Sequence, residues 1–207
     1  MHNHASRTYN YSKPETIVKE DRAMNIKGTA FVTRKDTIIR TFGEPRWNSF
    51  LARLAEKEKY FGKPIMPITL IPLDKFIVFL DEVLKEFFHN DTNHYWKLGE
   101  KSADFSLGEG GPYHSYLLAR DVKQLVESAM PKIWATYFDG GKFTAKLENN
   151  IAHITISDLP TKHIYFEFLV MGYLRQAFVI FGKKSVERKI RGFSSGNNDI
   201  YYQFEIS

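Results

Sequence analysis

The residues best equipped for chemistry in this chain are few and scattered. His89, Asp91 and His94 have the composition of a metal site. They fall at a predicted helix end and loop, where capping and solvent contact use the same side chains. His2 and His4 stand two apart in a polar leading stretch and read as solvated. Asp104 and Glu109 could be posed as paired acids, but no base, nucleophile or oxyanion donor accompanies them. The GEGGP run at 108–112 has neither a following Lys-Ser/Thr nor a preceding strand, so it is no phosphate loop or dinucleotide fingerprint. With no cysteine in the chain, disulfides, thiolate metal sites and a cysteine nucleophile are excluded. No catalytic constellation emerges, and the expectation is a protein that is not an enzyme and holds no metal.

Two groups of side chains could still bind something. Trp96, Phe105, Tyr113, His114, Tyr116, Trp134 and Tyr137 mix large rings with a few polar tips, the composition of a pocket for a small apolar or aromatic ligand. Rings at helical spacing also fill closed cores, so pocket and plain core remain alternatives. Lys183, Lys184, Arg188, Lys189 and Arg191, with Phe193 and Tyr201 nearby, are suited to phosphate or an acidic protein. Strand alternation sends Arg188 to the face opposite Lys189 and Arg191, which makes a solvated edge strand the default. The net charge of +5, from 29 basic and 24 acidic residues, is too mild for a nucleic-acid signature.

The elements that must position these groups follow from hydrophobic rhythm. In 207 residues with 43% apolar content there is chain for one sizeable core. Residues 1–25 are polar and read as a flexible arm or linker; 26–207 form a single domain. The arm has no apolar h-region, so no signal peptide or membrane anchor is read there, and a cytoplasmic location is expected. Gly28 to Val32 suggests a short extended entry. After it come a short helix ending at Gly43, a second with Pro45 in its first turn, and a third whose stripe is Phe76, Ile77, Leu80, Val83, Leu84, Phe87 and Phe88. A fourth follows an Asp91 or Asn93 cap, and a fifth starts near Arg120 or Asp121, with Pro131 in its interior implying a kink or a restart.

After Asp139-Gly140-Gly141 the apolar period changes from about 3.6 to 2. Alternating segments around Asn149-Asn150 read as a hairpin, and a second hairpin closes the chain with Ile200, Tyr202, Phe204 and Ile206 on one face. Between them IYFEFLVMGYLRQAFVIFG is apolar on nearly all sides, so this helix needs two partners: the sheet, and either the helical half or a second subunit. Gly172 is expected to permit close backbone approach. The fold class is therefore α+β, an N-terminal helical half followed by a β-β-α-β-β antiparallel unit.

That element order resembles the fold shared by haem nitric-oxide-binding domains, 4-vinyl-reductase-like sensor domains and the TRAPP tethering subunits. The segments TFGEPRWNSFLARL, HYWKLGEKSADFSL, SAMPKIWATYFDGGKF and VMGYLRQAFVIFG resemble a bacterial family within that group. The resemblance implies a non-catalytic regulatory or sensor domain, a homodimer that signals through a protein partner, with a ligand-free scaffold or tethering protein as the alternative. In the haem-binding relatives a histidine on the helix before the first strand binds iron, and a Tyr-x-Ser-x-Arg motif holds the propionates. Here that helix has no histidine, and Tyr113, Ser115 and Leu117 imitate the motif without its arginine. Haem through His114 is therefore not expected, nor is contact with membrane or nucleic acid.

Overall fold

A computed structural model describes residues 23–207. The reading of residues 1–25 as an arm, and that of His2 and His4, lies outside the described residues except at its end. There Met24 is buried and Asn25 opens a strand, so both belong to the domain.

The short strand β1 (Asn25–Lys27) pairs antiparallel with β2 (Leu70–Pro72), and α1 (Thr29–Phe42) follows at once. The expected extended entry over Thr29–Val32 is thus the first turn of α1. Gly28 explains the abrupt change. A Cβ there would stand 2.0 Å from the Met66 carbonyl oxygen, so only glycine lets the chain pass. Helix α2 (Glu44–Lys57) carries Pro45 in its first turn, where the missing N–H is no loss, and buries Trp47, Phe50 and Leu54. Helix α3 (Leu73–Phe88) buries the predicted stripe through Phe87, together with Phe79, leaves Phe88 half-buried, and ends at His89 in the left-handed conformation. Phe31, Trp47, Phe50, Phe61 and Phe79 form one aromatic cluster at the centre of this helical half. Each such ring is worth roughly 1.5–3 kcal/mol of burial.

Asp91 Oδ1 accepts the Asn93 N–H at 3.0 Å ahead of α4 (Asn93–Leu107). The next helix is one rod in three parts: α5 (Val122–Gln124), a π turn over Leu125–Ala129, and α6 (Met130–Tyr137). Asp121 caps it through the Gln124 N–H. Pro131 cannot donate to the carbonyl four residues earlier, and the helix absorbs that defect by widening into the π turn just before it rather than by breaking.

The main sheet has the order β3-β4-β6-β5, with β3 (Lys142–Glu148), β4 (Ile151–Ser157), β5 (Ser185–Arg191) and β6 (Ile200–Ile206), all antiparallel. Asn149 and Asn150 both have positive φ, 49° and 62°, as a two-residue hairpin requires. Ala152, Ile154, Ile156, Ile200, Tyr202, Phe204 and Ile206 form the buried face. Helix α7 (Ile164–Ile180) lies between this face and α4, so its second partner is the helical half of the same chain. Gly99 and Gly172 make that crossing possible. A Cβ at Gly99 would stand 2.1 Å from the Leu169 oxygen, and one at Gly172 would stand 2.4 Å from the Trp96 oxygen.

The alternation expected along β5 fails at Ile190, where a bulge shifts the register. Lys189 therefore opposes Tyr202 and reaches the buried Glu167 of α7 at 2.5 Å. Arg191 turns to the other face, pairs with Asp199 and covers the Tyr201 ring. One extra residue separates two basic side chains that strict alternation would place together.

Candidate functional site

Four helices converge on one small internal space. Helix α1 contributes Ala30, Thr33 and Arg34, α4 contributes Ser102, and α6 contributes Met130, Ile133, Trp134 and Tyr137. The opposite wall is Tyr165, Leu169, Val170, Tyr173 and Leu174 of α7, with Phe138 and Phe143 closing the end toward β3. Its volume is about 40 Å³. One water needs ~10–15 Å³ of such space, so it holds a few waters or a very small molecule. A drug-sized ligand needs ~300 Å³ or more.

Arg34 is the unusual member of this wall. It sits four residues after Ala30 and four before Ile38, on the core face of α1, and only 2% of its surface is exposed. Its Nη1 donates to the Leu98 carbonyl oxygen at 2.6 Å, while Nε has no partner. No carboxylate acts on it. Burial pushes its pKa down to about 10, against the opposing pull of Tyr165 and Tyr137, so the guanidinium stays charged at neutral pH. An uncompensated buried charge opposes folding by several kcal/mol. Arg34 is thus a buried charge with no carboxylate partner on the cavity wall.

The surrounding hydroxyls are donors, not bases. Tyr137 Oη is buried and makes no well-formed hydrogen bond, and burial pushes its pKa up to about 12 against the opposing pull of the neighbouring Ser106 and Tyr173 hydroxyls. Tyr165 and Tyr173 are raised further, again chiefly by burial. Tyr173 Oη and Ser106 Oγ are hydrogen-bonded at 2.8 Å. Ser102 Oγ donates to Leu98 O and Thr33 Oγ1 to Thr29 O, both at 2.8 Å. Among the described residues no three metal-ligating side chains gather, so His89, Asp91 and His94 form no ligand cluster. No helix of the described residues is long and apolar enough to cross a membrane.

Of the seven residues read as a pocket, Trp134 and Tyr137 line the cavity. Tyr113 stands one layer back, edge-on to Tyr137 at 5.4 Å. Tyr116 bonds Thr136 at 3.0 Å. His114 sits in the turn His114–Leu117 with Nδ1 at 2.8 Å from the Leu107 oxygen. Trp96 donates to Glu100 at 3.1 Å, and Phe105 faces a surface groove beside Thr37 and Lys101. Arg34 was legible as a charge on an apolar stripe in VTRKDTIIR, but it was not singled out there. Tyr165 and Tyr173 were hidden inside a helix that reads as uniformly greasy.

The fold is that of H-NOX domains. A crystal structure of an H-NOX protein from S. oneidensis in the Fe(II)NO ligation state matches with a TM-score of 0.68 and 16% identity, over 88% of this chain and 99% of that one. A mutant H-NOX protein from K. algicida in an unliganded Fe(II) state matches with a TM-score of 0.61 and 13% identity, over 88% and 97%. A solution structure of a mutant H-NOX domain from Shewanella oneidensis in the Fe(II)CO ligation state gives 0.67 and 16%, over 88% and 99%. No protein-family model and no curated protein matches the chain.

The residues present do not fit haem. The rod Val122–Tyr137 offers no imidazole, and the nearest one, His114, is held in a turn by the Leu107 carbonyl. Between α1, α4, α6 and α7 there is about 40 Å³ of space, far below what a macrocycle needs. Trp134, Tyr137, Phe138, Tyr165 and Tyr173 occupy the volume around it.

Proposed function

We propose that this chain is a haem-independent sensor domain: a non-catalytic regulatory module of H-NOX-like fold that binds a small molecule in its core and signals through protein contacts, as a homodimer. The observation that carries the reading is the charged Arg34, with an unbonded Nε and no carboxylate beside it, on the wall of a cavity shared by four helices. A native state that leaves such a group uncompensated gains stability when a ligand compensates it. Because α1, α4, α6 and α7 each supply wall residues, occupancy changes the relative stability of their packing, which a partner on the outer surface can read. The π turn ahead of α6 adds to this, since one turn of that rod already departs from α-helical bonding.

Thermal unfolding against a library of small molecules, with and without added haem, tests the reading. Saturable stabilisation by a compound of a few heavy atoms, with no Soret absorbance after haem addition, is the expected result. Stoichiometric haem uptake would refute it, and stabilisation by nothing in the library would favour the ligand-free scaffold.

A further inference from the structure

The cavity's own chemistry narrows the ligand class, on the premise that the sensor reading holds. A guanidinium has five N–H donors in a planar fork. Arg34 uses one nitrogen, Nη1, on the Leu98 carbonyl, and its buried Nε is left without an acceptor. The Tyr137 hydroxyl on the same wall is a second buried donor that makes no well-formed hydrogen bond, with only the Ser106 and Tyr173 hydroxyls near it. No acid neutralises the charge: the groups acting on Arg34 are Tyr165 and Tyr137, and both phenols stay protonated at neutral pH because burial raises them. The Thr33, Ser102 and Tyr173 hydroxyls are already bonded within the protein, and the other lining residues are mostly apolar, including Met130, Ile133 and Leu169. What is missing is a negative charge with at least two acceptor atoms, in a volume of about 40 Å³. At ~10–15 Å³ for each water-sized group, that is space for three or four heavy atoms.

We infer that the cavity binds a small planar monoanion, a carboxylate as small as formate or acetate or an inorganic oxyanion of that size, whose oxygens accept from the free edge of Arg34 and from the Tyr137 hydroxyl. The planar fork favours two parallel charge-assisted hydrogen bonds, which the paired oxygens of a planar anion match better than the single centre of chloride. The apolar walls disfavour dianions, whose second charge would meet no donor. Size excludes amino acids and longer acids.

The test is thermal unfolding of the full chain in formate, acetate, nitrite, nitrate or chloride, at constant ionic strength set by a sulfonate too bulky for the cavity. The wild-type midpoint should rise saturably with a planar anion and much less with chloride. Whether carboxylates or nitrogen oxyanions act at the lower concentration assigns the source. Arg34→Met should abolish the response. Tyr137→Phe, which removes a hydroxyl that makes no well-formed hydrogen bond, should keep the fold and weaken the apparent Kd about tenfold or more. An unchanged response in Tyr137→Phe or Arg34→Met, or no saturable response in the wild type, would overturn the inference. If Arg34→Met does not fold, Tyr137→Phe decides alone. Stabilisation by a neutral compound but by no anion would overturn the anion assignment and leave the sensor reading standing; stabilisation by neither would end both.

Discussion

Replacing Arg34 by methionine should stabilise the protein wherever no binding anion is present, the reverse of what removing a charged hydrogen-bonding residue usually does. The guanidinium's pKa falls to about 10 through burial. Measured from an ordinary value of ~12.5, at ~1.36 kcal/mol for each pKa unit, the charged state is disfavoured by roughly 3 kcal/mol. Methionine carries a flexible apolar chain into walls that are already apolar. It forfeits the bond to the Leu98 oxygen, but that oxygen still accepts from Ser102 Oγ at 2.8 Å and is not orphaned. Exchanges of buried ionic groups for apolar ones of similar volume are often stabilising by ~1–4 kcal/mol. The expected gain is about 1–3 kcal/mol, or ~2–4 °C in Tm for each kcal/mol in a chain of this size. Urea unfolding followed by tryptophan fluorescence suits the measurement, because Trp134 is in the cavity wall and urea brings no ions. The midpoint should move up at constant slope. A loss of more than about 1 kcal/mol would show that the charge is compensated in the native protein and would remove the reason for assigning a binding role to the cavity.

Gly172→Ala should destabilise by about 3 kcal/mol or more, because the new Cβ meets the Trp96 backbone oxygen at 2.4 Å and α4 and α7 must separate; thermal melting by circular dichroism measures it. Glu167 is fully buried and bonds Lys189 Nζ at 2.5 Å and the Ser194 N–H at 2.9 Å, tying α7 to the β5–β6 connection. Burial pushes its carboxyl up, but Lys189 and Ser194 together outweigh it and hold the pKa below the usual value. Its stabilisation is therefore present above the unfolded-state pKa of ~4.3 and is lost as pH falls through the lower folded value. Glu167→Ala should lose about 3 kcal/mol at neutral pH, and the difference from wild type should shrink in urea titrations at progressively lower pH.

The outline of the fold was legible because apolar periodicity reports burial directly. The stripe of α3, the Asn149-Asn150 hairpin and the all-round apolar α7 each had one physical solution, and Gly172 in a helix interior required a close neighbour. Thr29–Val32 misled because local β-branching favours extension, while Gly28 and the β1–β2 pairing set the helix start through contacts distant in sequence. The Ile190 bulge was invisible, since nothing in SVERKIRGF announces an extra residue and strict alternation misplaces Arg191. Pairing of β4 with β6 likewise rests on the path of α7 between them. At the site, aromatic type drew the reading toward Trp134 and Tyr137 but also toward rings that pack elsewhere. The decisive feature, Arg34 between Ala30 and Ile38, required treating a charged residue on a core stripe as a signal rather than as noise in the pattern.

The measurement closest to the central claim is native mass spectrometry of the full chain purified from cells supplied with a haem precursor, recorded beside its absorbance spectrum. A haem-independent domain should appear without a haem adduct and without a Soret band, as a dimer, carrying a mass increment of a few heavy atoms that is lost on gentle activation and absent from Tyr137→Phe. A species heavier by one haem per subunit, red in solution, would contradict it.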